Sequence, residues 1–171
     1  KILLVLGQAP LGADRPAAGH APGHPLRRHR AVLQPHSGAP GELAPVLAHH
    51  YYEAEAWPEA AEWSHLAARG ARSNYAQQEA LAHYDRAIAA AERARLRPEL
   101  RMEMHEGRGS IYSLLGQFQP ARADLDAALG MAGDAQDKIP RARVLNALGR
   151  LWASHRDYQK GLQFAQEAAR L

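Results

Sequence analysis

Cysteine is absent from this 171-residue chain, which excludes disulfide staples and cysteine-ligated zinc. Aromatic residues are scarce, at 6%, and no apolar run approaches the ~20 residues that a membrane-spanning helix requires. No G-x-x-x-x-G-K-[ST] loop is present to cradle phosphates, and no serine stands in the context of a nucleophile elbow. Alanine, leucine, arginine and glutamate are abundant instead, and these residues lose little side-chain freedom in a helix. The chain is long enough to bury one substantial core. It opens on Lys1 rather than methionine, so the expectation is a piece of a longer protein.

The net charge of +3 is unevenly distributed. Residues 1–41 carry five Lys/Arg against the single acid Asp14, or +4, whereas residues 42–171 carry sixteen against seventeen, or −1. A nucleic-acid binder shows its basic stripe on the folded part, so these totals speak against nucleic acid as a partner.

The N-terminal segment, 1–41, holds six prolines, six glycines and four histidines, with no periodic apolar face beyond Leu6. Proline removes donors and glycine adds chain entropy, so this low-complexity stretch is expected to be mostly disordered. Residues 2–6, Ile-Leu-Leu-Val-Leu, read as a short buried strand, too short for the core of a secretory signal. His20, His24 and His29 are metal-ligand types, but a zinc site needs three or four ligands on a rigid, supported frame. Pro/Gly coil offers none, so no metal is expected.

From Glu42 the apolar residues recur at helical spacing. The pattern predicts seven helices, over about 42–57, 58–73, 75–96, 98–115, 119–131, 139–154 and 158–171, with Pro58 and Pro98 opening the second and fourth. Aligning the chain on Trp57, Phe118 and Tyr158 exposes a repeat. Nine residues earlier stand Ala48, Gly109 and Gly149, and six earlier stand Tyr51, Tyr112 and Trp152. Three residues later come Ala60, Ala121 and Gly161, and ten later come Ala67, Ala128 and Ala168. The registers lie 61 and 40 residues apart, and the third helix supplies the excess of one helix, paired against the second. Small residues let two backbones approach, and the aromatics fill the wedge beside them.

This pattern of small, aromatic and small columns resembles a tetratricopeptide repeat with units of about 40 residues. The stretch 42–88, with Leu-Ala-His-His-Tyr at 47–51 leading into alanine-rich hairpins, resembles the start of the helical-repeat region of bacterial STAND-type signalling ATPases. That group includes MalT-like transcription regulators and proteins fused to adenylate/guanylate cyclase domains. The resemblance covers 42–171 and implies a right-handed stack of antiparallel hairpins, a tetratricopeptide-like solenoid, in a cytoplasmic signalling protein. It also implies that strand 2–6 is a remnant of an upstream ATPase module. There two acidic residues that organise magnesium would follow, and here Gly7 and Gln8 take their place. Codons for residues 9–13 read one base later can spell a Leu-His-Trp-Ala stretch of that module, so 7–41 is expected to be partly out of frame. Nucleotide chemistry is not supported, and no cofactor is expected.

Catalysis finds little footing in the body. His49 and His50 are adjacent, so their side chains diverge by about 100° around a helix and cannot clamp one ligand together. His50 falls on the apolar face and reads as a core histidine. Glu103 and Glu106 share a face with Ser110 and read as a solvated surface. The chain is therefore expected not to be an enzyme but an interaction or sensor scaffold. In stacked hairpins the first helix of each lines the concave side. The candidate partner-binding residues there are His49, Tyr52, Glu53, Glu106, Ser110, Ser113, Asn146 and Arg150. The expected partner is a peptide or protein segment, another domain of the same parent chain included.

Overall fold

The computed structural model describes residues 40–133 and 138–171. The strand at 2–6, His20, His24, His29 and the expected remnant at 7–41 lie almost wholly outside that range. The described residues form seven helices and no strand: α1 (Pro40–Glu53), α2 (Trp57–Ser73), α3 (Gln77–Arg93), α4 (Pro98–Leu114), α5 (Phe118–Ala132), α6 (Lys138–Ser154) and α7 (Tyr158–Ala169). Each packs on its sequence neighbours, so the architecture is an all-α stack of helical hairpins. Proline occupies the first turn of α2 and α4. Of the helices whose preceding residue is described, α2 to α5 have no side-chain cap, whereas at α7 Asp157 accepts from the Lys160 N–H at 3.0 Å.

The turns are the most regular feature of the chain. Residues 55, 75, 95, 116 and 156 all adopt positive φ, between 50° and 70°. After each, the next N–H reaches back five residues, as in Ala56 to Tyr51, Ala76 to Ala71, Leu96 to Ala91, Gln117 to Tyr112 and Asp157 to Trp152, at 2.9–3.0 Å. The positive-φ residue itself bonds three residues back. This is the Schellman closure, which satisfies the carbonyls orphaned at a helix C-terminus. Only Gly116 among these five residues is the type such a turn favours; the others are Glu55, Tyr75, Arg95 and Arg156.

The spacing of these turns, 20 to 21 residues over the first four, shows that the repeating unit is one helix plus one turn. The second helix serves two neighbours, as expected: α2 packs on both α1 and α3. The α2–α3 interface is also the most extensive in the stack, followed by α4–α5 and α6–α7. The helix left over from the pairing is thus α1 rather than α3. The α2–α3 hairpin escaped the sequence alignment because its columns keep the small residues, Ala68, Ala80 and Ala87, but not the aromatics. Ala71 and Gln77 stand where the other copies have Tyr or Trp and Phe, Trp or Tyr. An alanine-rich seam allows the closer approach.

Two clusters form the core. One centres on Tyr84, Ile88, Met104 and Ile111 with the alanines of α2 and α3. The other gathers Met102, Leu125, Val144, Leu148 and Leu151 around the α5–α6 contact. The glycine columns behave as close-approach points: a Cβ on Gly161 would lie 2.8 Å from the Gly149 carbonyl oxygen, and one on Gly149 would lie 3.1 Å from that of Gly161. Aromatics fill the wedges, with Tyr52 edge-on to Trp57 at 5.4 Å and Phe118 edge-on to Trp152 at 5.0 Å. His50 departs from expectation. It is exposed, as is Val46, because the buried stripe of α1 runs through Ala44 and Ala48 instead.

Candidate functional site

The helices sort into two layers. α2 touches α4 and α4 touches α6, whereas α3, α5 and α7 do not touch one another. The layer whose members converge is the inner, concave one, and it consists of α2, α4 and α6. α1 touches α3 and so lies with the outer layer.

Helical spacing aligns charged side chains along these inner helices. His65, Arg69 and Arg72 stand at i, i+4 and i+7 on α2, Glu103, Glu106, Ser110 and Ser113 follow one face of α4, and Arg143, Asn146 and Arg150 follow one face of α6. They line a row of cavities. The first, about 380 Å³, lies between the α2 trio, Tyr84, the two glutamates with Gly107, and Arg143. The second, about 400 Å³, runs from Arg72 and Tyr75 past Ser110, Ser113 and Leu114 to Arg150. The third, about 360 Å³, continues from Asn146 and Arg150 over Gly149 to Tyr158 and Leu162. Arg72 belongs to the first two cavities and Arg150 to the last two.

Within the first cavity Arg143 grips Glu106 from the neighbouring helix. Its Nε lies 2.8 Å from both carboxylate oxygens and its Nη2 2.7 Å from Oε2. These hydrogen bonds raise the guanidinium's pKa and tie α4 to α6. Arg69, Arg72 and Arg150, by contrast, form no ion pair with any carboxylate among the described residues. Burial, helped by the positive charges of Arg69 and Arg72, pushes His65 down to about 4, so its imidazole is neutral at pH 7. Burial raises the Tyr84 hydroxyl, against the opposing pull of Arg72 and Arg69. The Tyr84 ring lies 5.8 Å from that of His65. Its hydroxyl lies over Gly107, where a Cβ would collide with it. Gly107 thus lets Tyr84 form the floor of the cavity.

A second charged network is buried and structural. Asp124, only 4% exposed, accepts from Arg108 Nε and Nη2 at 2.7 Å each and sits 2.9 Å from His105 Nδ1. Arg108 Nη1 reaches Asp85 on α3 at 2.6 Å. Burial alone would raise the Asp124 carboxyl, but the hydrogen bonds from Arg108 and His105 outweigh it and hold it below the usual carboxylate range. This cluster pins α3, α4 and α5 together and does not line the inner cavities.

The residues expected to face a partner are divided by this geometry. Glu106 lines the first cavity, Ser110 and Ser113 the second, Asn146 the third, and Arg150 both of the last two. His49, Tyr52 and Glu53 belong to α1 and line none of the three. His49 and Glu53 are exposed, and Tyr52 packs half-buried on Trp57. Sequence reasoning passed over His65, Arg69, Arg72, Tyr84 and Arg143. The i, i+4, i+7 run on α2 was the available signal, and it was hidden by assigning α1 to the concave side. Among the described residues no group of three His, Asp or Glu side chains is placed to hold a metal ion, and no helix is long and apolar enough to cross a membrane.

No protein-family model matches the chain, and no curated protein matches it.

Proposed function

We propose that the helical stack is a protein-binding scaffold that holds a segment of a partner protein in the trough across α2, α4 and α6. The observation that carries this reading is the pair of cavities across α2, α4 and α6 that share Arg72, continued through Arg150 onto the face of the α6–α7 hairpin, a shape suited to a linear ligand rather than a compact one. The Leu-Ala-His-His-Tyr helix and the hairpins after it resemble the repeat region of STAND-type signalling ATPases. On that resemblance the scaffold belongs to a multidomain bacterial transcription regulator or, alternatively, to a cyclase-linked protein, and its partner is another domain of the same protein or a cellular effector. Catalysis is the weaker reading. His65 and Tyr84 are perturbed as active-site groups are, but Arg143 engages both oxygens of Glu106, and among the described residues no carboxylate hydrogen-bonds the His65 imidazole to orient it.

Peptide-array binding tests the scaffold. Ser113→Trp would fill the second cavity from a half-exposed position. Peptides that bind the full chain are expected to lose at least tenfold in affinity for this variant, while a Trp at exposed Asp126 on α5 has no effect. Equal binding to the groove-filled variant would place the partner elsewhere and end the reading.

A further inference from the structure

The trough holds more positive charge than its own carboxylates neutralise. Glu106 is committed to Arg143, and the remaining acid, Glu103, shares the first cavity with Arg69 and Arg72; these two and Arg150, in the next cavity, have no ion-pair partner among the described residues. The surplus sits inside a helical body whose total charge is −1, so it is concentrated rather than general. Two of the three arginines stand at the junctions between cavities. Between those junctions the wall is partly apolar, through Leu114, Leu125 and Ala147.

On the scaffold reading above, we infer that the trough takes an extended acidic protein segment, with one carboxylate on Arg72, another on Arg150 and an apolar side chain between them against Leu114 and Ala147. Arginine suits this role because its planar guanidinium presents paired donors to a carboxylate. Leu114 is 74% exposed, so an apolar side chain laid on it would bury surface that the fold leaves wet. A single-stranded nucleic acid fits less well. It would bring phosphates against Glu103 and Glu106, and of the tyrosines in the first two cavities only Tyr75 is exposed enough to stack a base.

The test is fluorescence anisotropy with the full chain and three labelled synthetic peptides of alternating Glu/Leu, Gln/Leu and Lys/Leu. The Glu/Leu peptide is expected to bind best, and to weaken as salt is raised. Arg72→Glu and Arg150→Glu are each expected to weaken it about tenfold or more, the equivalent of one charge-assisted pair at about 1.5 kcal/mol. Both side chains are exposed; the Arg150→Glu melting curve should not move, whereas Arg72→Glu also loses the Arg72 hydrogen bond to the Tyr84 hydroxyl and is assayed well below its melting temperature. Arg86→Glu on the exposed side of α3 is the control and should leave affinity within twofold. The inference is overturned if the Gln/Leu or Lys/Leu peptide binds as well, if Arg86→Glu weakens binding as much, or if no Glu/Leu binding is seen. Displacement by inorganic phosphate at concentrations that leave ionic strength unchanged would overturn it in favour of a small-anion site, and tighter binding of single-stranded oligonucleotide would overturn it in favour of nucleic acid. Array peptides that are sensitive to Ser113→Trp but poor in acids would remove this inference alone. Insensitivity to Ser113→Trp would remove the scaffold reading as well.

Discussion

Four of the five Schellman turns place an ordinary L-residue where glycine belongs, and this makes a quantitative prediction about stability. Glu55, Arg95 and Arg156 have φ of 54°, 50° and 67°. All three are exposed and none is in an ion pair among the described residues. Holding an L-residue in the left-handed region costs about 1–2 kcal/mol. Replacing it with glycine removes that cost but gives the unfolded chain more freedom, which offsets about 0.5–1 kcal/mol. The net expectation is about 0.5–1 kcal/mol of stabilisation per site. No hydrogen bond or ion pair joins the three side chains, so their effects should add approximately, giving about 1.5–3 kcal/mol for the triple variant; any shortfall is expected between Glu55 and Arg95, whose turns meet where Arg93 lies 4.3 Å over Trp57. Urea unfolding followed by circular dichroism reads this as a higher midpoint at unchanged slope. Gly116→Ala, at the equivalent turn with φ of 70°, is the mirror-image control and should lose about 1 kcal/mol. A triple variant no more stable than the parent, or a harmless Gly116→Ala, would refute the claim that these turns are strained alike.

Asp124→Ala leaves Arg108 and His105 without their shared acceptor in a buried site and should cost about 3 kcal/mol. Asp126→Ala, which breaks only the exposed pair with Arg122, should cost under about 0.5 kcal/mol, and both are read by chemical unfolding. Gly149→Leu forces a side chain toward the α7 backbone and should cost on the order of 1–3 kcal/mol, with α7 losing hydrogen-exchange protection first; an unchanged melting temperature would contradict it. His65 is held near 4 in the folded chain against about 6.5 unfolded. The unfolded state therefore binds the extra proton between those values, and stability falls as pH drops from about 6.5 toward 4. The loss should approach about 3 kcal/mol at full effect and be smaller in His65→Gln, as thermal melts across that range would show.

The helices were legible because their determinants are local. Apolar spacing, Pro58 and Pro98 in first turns, and the small columns at Gly109, Ala121, Gly149 and Gly161 set each helix and the seam it offers, and the observed spans follow them closely. The turns were visible only where an aromatic marked them. At Tyr75 and Arg95 nothing in the residue type announces a left-handed conformation, so the one-helix period stayed hidden behind a longer one.

The amino-acid sequence by itself determined seven helices, their small-residue seams and the absence of disulfides. Tertiary structure decided which helices converge. Whether α1 or α2 joins α4 and α6 on the inner side depends on how successive hairpins rotate against one another, a property summed over several interfaces and carried by no single stretch. That rotation moved His49, Tyr52 and Glu53 away from the trough and brought Arg69, Arg72 and Arg150 to it. It also gathered His105, Arg108 and Asp124 into one buried cluster, because side chains 16 and 19 residues apart become neighbours only when two helices fold back on each other.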